Sequence, residues 1–241
     1  ANNDEYVAYL FAGGESTASE AVSVDFDGSN DYVTVPASSD YDFGSGDFTV
    51  EGWIYAESLS GQTGIVDNWD RANDQRSWMC RVNSSALQFY VSTNGSDATL
   101  VASDISKEGN KQWVHFAGVR TGNTLKLFIN GLEVDSTSFS GSLFAGDTDP
   151  IHIGSMHGSN YFDGKISNVR IVKGTAVYTS SFKPPTEPLT NITNTKLLCC
   201  NNSSVTGATV SSGTLTNNGA TASTDSPFDD PAGFKFGDNK E

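Results

Sequence analysis

The sequence predicts an all-β sandwich of two antiparallel sheets, and three observations carry that prediction. The dominant hydrophobic period is two, which places one face of a strand on a core and the other in water. Gly, Asn, Asp and Ser gather between the alternating runs, where turns need them. No long stretch has a helical period. The length of 241 residues suits a single sandwich, since such domains routinely run to roughly 200–250 residues.

The strands follow in order. Val22-Ser23-Val24-Asp25-Phe26 and Tyr32-Val33-Thr34-Val35-Pro36 alternate apolar and polar residues around Asp27-Gly28 and Asn30-Asp31. That pattern predicts a tight hairpin. Phe48-Thr49-Val50-Glu51-Gly52-Trp53-Ile54-Tyr55 and Leu125-Lys126-Leu127-Phe128-Ile129 continue the alternation. Asn130-Gly131, between Leu-Phe-Ile and Leu-Glu-Val, is the strongest short hairpin signal in the chain. Asp163-Gly164 opens another alternating run, Lys165 to Ile171. Beyond Cys200 the chain is rich in Ser, Thr, Asn and Gly as far as Asp225.

Composition narrows the function classes. With 29 acidic and 14 basic residues, the net charge is −15, which repels nucleic acid and anionic membrane. No stretch approaches the roughly 18 apolar residues of a spanning helix, so membrane insertion is not expected. Cys80, Cys199 and Cys200 are odd in number and lack zinc spacing. They read as small buried hydrophobes of a chain made in a reducing compartment. The first residue is not Met, no signal-peptide pattern opens the chain, and the opening resembles the inside of a longer protein. Three segments are expected. Residues 1–20, with the apolar Tyr6–Phe11, join a preceding module; residues 21–228 form the sandwich; and residues 229–241, with Phe234–Asp238, join a following one.

Four segments together resemble the concanavalin A-like, laminin-G-like jelly-roll domains. They are Phe26 to Pro36, Phe48 to Ile54, Trp113-Val114-His115-Phe116-Ala117-Gly118-Val119-Arg120 with Leu127 to Gly131, and Phe162 to Ile171. The resemblance covers residues 21 to 200 and implies two antiparallel sheets in a jelly roll. Val172-Lys173-Gly174-Thr175-Ala176-Val177-Tyr178, Phe182-Lys183-Pro184-Pro185 and Thr195 to Cys200 are similar to laminin-G modules in structural proteins of marine bacteriophages. That narrower likeness implies a tail-fibre or capsid-appendage module on a virion surface, assembled in the host cytoplasm beside other virion subunits as a homo-oligomer.

Hydrolysis of a glycosidic bond, which the same fold supports elsewhere, needs two carboxylates about 5–10 Å apart. The related glucanases resemble one another in a Glu-x-Asp-x-Glu strand that this sequence lacks. Asp25 and Asp27 have no third member, and Glu51 stands alone. His115 and His152 alternate within strands, and no nucleophile elbow or phosphate loop is present. No catalytic residue is therefore assigned.

Calcium takes six to eight oxygens, and Asp27-Gly28-Ser29-Asn30-Asp31 with Asp163 offers several. The resemblance implies a structural ion held by Asp27, Asp31 and Asp163; plain turn chemistry accounts for the same residues. Sugar recognition calls for aromatic faces outside the core. Trp53, Trp78 and Trp113 lie in strand-like runs and read as core. Trp69 sits in the charged stretch Asp67–Asp74, read as a loop, while Tyr161 and Tyr41 lie among small polar residues. Trp69, Asp70, Arg71, Asn73, Asp74 and Tyr161 are the candidate ligand surface.

The expectation is a non-catalytic structural and adhesive virion module that contributes to attachment, with host-surface polysaccharide as a partner. A calcium-dependent lectin-like domain of a bacterial or extracellular protein is the alternative, and a glycoside hydrolase the distant one.

Overall fold

The computed structural model describes residues 22–105, 109–145 and 148–228. The joins expected at Tyr6–Phe11 and Phe234–Asp238 lie outside the described residues. Two antiparallel sheets, of nine and seven strands, stack face to face, as the jelly-roll reading expects.

The nine-stranded sheet runs β10 (Leu132–Ser138), β9 (Thr124–Ile129), β8 (Trp113–Thr121), β3 (Phe48–Ala56), β12 (Asp163–Lys173), β1 (Ser23–Asp27), β16 (Thr221–Ser223). Beside this path β13 (Thr195–Cys199) pairs with β12, and β14 (Ala208–Val210) with β13. The seven-stranded sheet runs β15 (Thr216–Asn218), β2 (Tyr32–Val35), β11 (Ile151–Ile153), β4 (Gln62–Asp70), β5 (Gln75–Asn83), β6 (Ala86–Gly95), β7 (Thr99–Asp104). Alternate residues of the facing strands form the core: Trp78, Cys80 and Val82 of β5 and Leu87, Phe89 and Val91 of β6 meet Val50, Ile54, Phe116 and Ile166 from the other sheet. The indole of Trp78 donates to the Tyr41 carbonyl at 3.2 Å, which satisfies the one polar atom of a fully buried ring.

Three sequence expectations are revised by this topology. Asp27–Asp31 is not a hairpin, because β1 belongs to one sheet and β2 to the other. The turn chemistry is present, with Gly28 at φ 72°, but it carries the chain across the sandwich edge. Two strands of turn-poor alternation cannot reveal by themselves which sheet each will join. The Ser/Thr/Asn-rich tail, to which no strand was assigned, contributes strands that close this same edge. Thr216 and Asn217 pair with Thr34 and Val33 of β2, and Thr221 and Ala222 with Asp25 and Val24 of β1. Thirdly, β3 and β8 are buried almost throughout, not on one face only.

That double burial has a cause in the chain after β12. Ala176, Tyr178 and Phe182 pack over Ala117, Val119 and Phe128 on the outer face of the nine-stranded sheet. Leu189, Leu198 and Phe228 pack with Trp53. Beneath this strap the Glu51 carboxylate is fully buried. One oxygen accepts from Arg170 Nε at 2.9 Å and Nη2 at 2.6 Å, and the other accepts from the Tyr178 hydroxyl at 2.8 Å and lies 3.3 Å from His115 Nε2. Burial opposes its charge, but His115 and Arg170 outweigh that cost and hold the carboxyl below its usual range.

The Asn130–Gly131 hairpin is as expected. Ile129 pairs with Leu132, and φ is 48° at Asn130 and 76° at Gly131, the two positive angles of a type I′ turn. Cys80, Cys199 and Cys200 are free and buried, and burial raises the Cys80 thiol.

Candidate functional site

The outer face of the seven-stranded sheet carries a cleft of about 450 Å³. Strand alternation builds its floor. Along β5, Trp78 and Cys80 point to the core, so Met79 and Arg81 point outward; along β6, Phe89 points in and Tyr90 out. Met79 and Tyr90 are register partners, and Gln62 and Trp69 enter from β4. The β4–β5 turn supplies Arg71 and Ala72, and the segment after β11 supplies Met156, His157, Ser159 and Asn160.

A bulge decides what stands opposite Trp69. Asn68 pairs with Trp78, but Trp69 pairs with Arg76, leaving Ser77 as the extra residue on β5. Without it Arg76 would fall on the opposite face; with it, indole and guanidinium line the same cleft. The Trp69 and Tyr90 rings lie 6.0 Å apart at 56°. Arg81 stacks over Tyr90 at 4.7 Å. Its donors reach Gln88 Oε1 at 2.9 Å, Gln62 Oε1 at 3.2 Å and the Tyr90 hydroxyl at 2.9 Å. The result is a polar cleft with an aromatic and thioether floor.

Behind one wall lies a cluster of Asp67, Asp70, His152 and His157. Asp67 accepts from the Trp69 N–H at 3.2 Å and the His157 N–H at 3.3 Å, and burial raises its carboxyl well above the usual range. Burial also works against the Asp70 charge, but Asn73, the Ala72 N–H and His157 outweigh it and hold that carboxyl low. His152 stacks on Tyr32 at 5.5 Å and lies 4.7 Å from the His157 ring. Burial, aided by His157, pushes its pKa down to about 4.

Of the ligand residues expected from sequence, the cleft brings together Trp69, Asp70 and Arg71. Trp69 does not stand in a loop. It is part of β4 and only 8% exposed, so it offers a strip of indole, not a free ring. The charged stretch misled because Asp67 and Asp70 are themselves buried strand residues. Asn73 and Asp74 turn away to local bonds, Asn73 to Asp70 and Asp74 to Arg76. Tyr161 packs near Tyr32 and donates to the Gly158 carbonyl at 2.6 Å, outside the cleft lining. Tyr41 is buried and bonds Ser212. Tyr90, Arg81, Gln62, Met79 and Arg76 were missed. Their signal was the alternation of β5 and β6, which marks the outward residues once the core-facing ones are known.

At the other candidate site, Asp27 and Asp163 are register partners of β1 and β12. Asp27 Oδ1 accepts from the Ser29 and Asn30 N–H groups, and Asp31 Oδ2 from the Asp27 N–H at 3.1 Å. Burial and the neighbouring carboxylates raise both Asp31 and Asp163. Among the described residues no group of three or more His, Cys, Asp or Glu side chains is disposed to hold a metal ion.

Two packed antiparallel sheets with these crossovers define the jelly-roll sandwich class. The chain belongs to the Concanavalin A-like lectin/glucanases superfamily, whose profile matches residues 27–177 in its laminin-G branch. No curated protein matches the sequence. Among solved structures, a protein of Bacteroides ovatus provisionally assigned to carbohydrate binding is similar with a TM-score of 0.57 and 16% identity, over 85% of this chain and 60% of that one. The native heptameric SAP-like pentraxin of Limulus polyphemus has a TM-score of 0.53 and 13% identity, over 85% and 95%. Domains LG4-5 of the mouse laminin alpha1 chain have a TM-score of 0.50 and 16% identity, over 66% and 44%. The chain thus spans 60% of the Bacteroides protein and less than half of the laminin fragment. At these identities the likeness is one of fold.

Proposed function

We propose that this domain is a non-catalytic glycan-binding module that serves attachment, with the saccharide lying across the outer face of β4, β5 and β6. The observation that carries the reading is the meeting of Trp69, Tyr90 and Arg81 in one concave, polar-lined cleft. Aromatic surface suits the apolar face of a pyranose, and fixed polar groups at its rim set orientation. The non-catalytic part rests on the lining: Asp70 is the one carboxylate among the lining residues, and its oxygens are engaged by Asn73, Ala72 and His157. A two-carboxylate mechanism has no second member there.

The setting in this proposal is a bacteriophage virion appendage, where repeated copies turn weak single-site binding into firm attachment. A calcium ion at Asp27, Asp31 and Asp163 belongs to the same reading. What supports it is that burial first, and then the nearby Asp25 and Asp27 carboxylates, raise both Asp31 and Asp163, a cost to their charge that a cation would offset. The test is binding of the purified domain to an array of bacterial and algal polysaccharides, in calcium and in chelator, beside Tyr90→Ala. Binding lost in that variant supports the reading, and equal binding by a correctly folded Tyr90→Ala protein overturns the site. Loss in chelator supports the ion.

A further inference from the structure

The charge of the cleft is opposite to that of the molecule. The chain carries 29 acidic and 14 basic residues. Yet three arginines, Arg71, Arg76 and Arg81, line this one cleft with a single carboxylate, Asp70. That carboxylate is spent within its own turn and on His157. Arg76 has one exposed ion pair, with Asp74 at 3.3 Å, and also donates to the Ser96 carbonyl. Among the described residues no carboxylate lies within ion-pair reach of Arg71 or Arg81.

Arg81 is the most informative of the three. Its guanidinium is fixed in place by Gln88, Gln62 and Tyr90, all neutral, and by the Tyr90 ring beneath it. Those partners orient the charge without neutralising it. A preorganised guanidinium is a strong and directional receptor for a carboxylate or sulfate, because its planar fork matches their oxygens. Arg76 reaches the same cleft through the bulge at Ser77, so one strand and the turn before it deliver three cations to one place.

We infer that the cleft selects anionic polysaccharide, with Arg81, Arg76 and Arg71 receiving the carboxylate or sulfate groups of the chain while Trp69 and Tyr90 meet its ring faces. The inference rests on the glycan reading above. The net charge of −15 sharpens it, because such a surface repels polyanions everywhere else. Retention of a polyanion by this protein therefore reports a local site.

The test pairs polymers that differ in charge alone: dextran with dextran sulfate, and polygalacturonate with its fully methyl-esterified form. Binding is measured by calorimetry and by retardation in affinity gels. The charged member of a pair binds at least about tenfold more tightly, and the advantage falls as NaCl rises from ~50 to ~500 mM, which shortens the screening length. Arg81→Gln and the surface-located Arg71→Ser each weaken binding of the charged polymer by about tenfold, the scale of a charge-assisted hydrogen bond; Arg71→Ser leaves the melting temperature unchanged, whereas Arg81→Gln lowers it modestly through its lost bonds to Gln62, Gln88 and Tyr90. Equal affinity for charged and neutral partners, sensitive to Tyr90→Ala but not to either arginine, overturns the inference and leaves glycan binding standing. Binding to none of the four polymers and to no polysaccharide on the array overturns both.

Discussion

Glu51 and Arg170 are register partners on β3 and β12, and they meet on the covered side of the nine-stranded sheet with both hydrogen bonds falling on one carboxylate oxygen. The second oxygen is shared by His115 of β8 and by Tyr178, which belongs to the strap. The ion pair therefore belongs to the sheet, and the strap is fastened to it through Tyr178.

Breaking that pair by removing one member strands a buried charge, which costs about 3–5 kcal/mol. Glu51→Ala and Arg170→Leu are expected to lose stability on that scale in urea unfolding. Tyr178→Phe removes one hydrogen bond to a charged group and is expected to lose about 1.5–3 kcal/mol. A loss from Glu51→Ala no larger than that from Tyr178→Phe counts against this account.

His152 gives stability a pH dependence. Its pKa is about 4 in the fold against 6.5 in the open chain. Between those values the unfolded chain takes a proton that the fold refuses, so stability declines as pH falls from 6.5 to 4 by up to about 1.4 kcal/mol per unit. Asp67 acts the other way: its raised pKa favours the fold at low pH, a gain lost as pH rises above 3.8. His152→Gln is expected to reduce the loss on acidification, and Asp67→Asn to steepen it, when unfolding free energy is measured from pH 7 to 4.

Gly118 of β8 has ordinary backbone angles, so its constraint is one of space. A Cβ there would stand 2.6 Å from the Phe89 ring of the opposite sheet. Gly118→Ala is expected to cost about 1–3 kcal/mol by overpacking, read as a lowered melting temperature. Gly122→Ala, which has open space but φ 57°, separates this effect from backbone strain.

At the cleft, Trp69→Ala and Tyr90→Ala are expected to differ. Trp69 is almost wholly buried, so its removal costs about 3–5 kcal/mol of stability as well as glycan binding. Tyr90 is half-exposed, and its removal is expected to abolish binding with a smaller loss of melting temperature. Calorimetric unfolding beside glycan titration distinguishes them.

How much of this could be read from the chain differs by element. Alternation revealed β1, β2, β3, β9 and β12, and Asn130-Gly131 revealed its hairpin, because each signal is local. The sheet assignment of β1 and β2 was not legible, since it depends on distant partners, β12 and β16 for β1 and β11 and β15 for β2. Glu51 looked solitary because His115, Tyr178 and Arg170 reach it from 64, 127 and 119 residues along the chain. Trp69 was expected in a loop because its neighbours are acidic, whereas the β4 strand continues through them, and the bulge at Ser77 brings Arg76 to the cleft beside it.

The two outer faces have different evolutionary freedom. On the strapped face each side chain is locked to several others, so a change at Trp53, Phe128 or Glu51 must be matched elsewhere. On the open face Gln62, Arg81, Gln88 and Tyr90 stand on strands whose opposite side alone supports the core. Those four bond chiefly to one another, so they can change as a set while the core beneath them is left alone. A lineage can therefore rewrite the lining of this cleft while the scaffold stays constant.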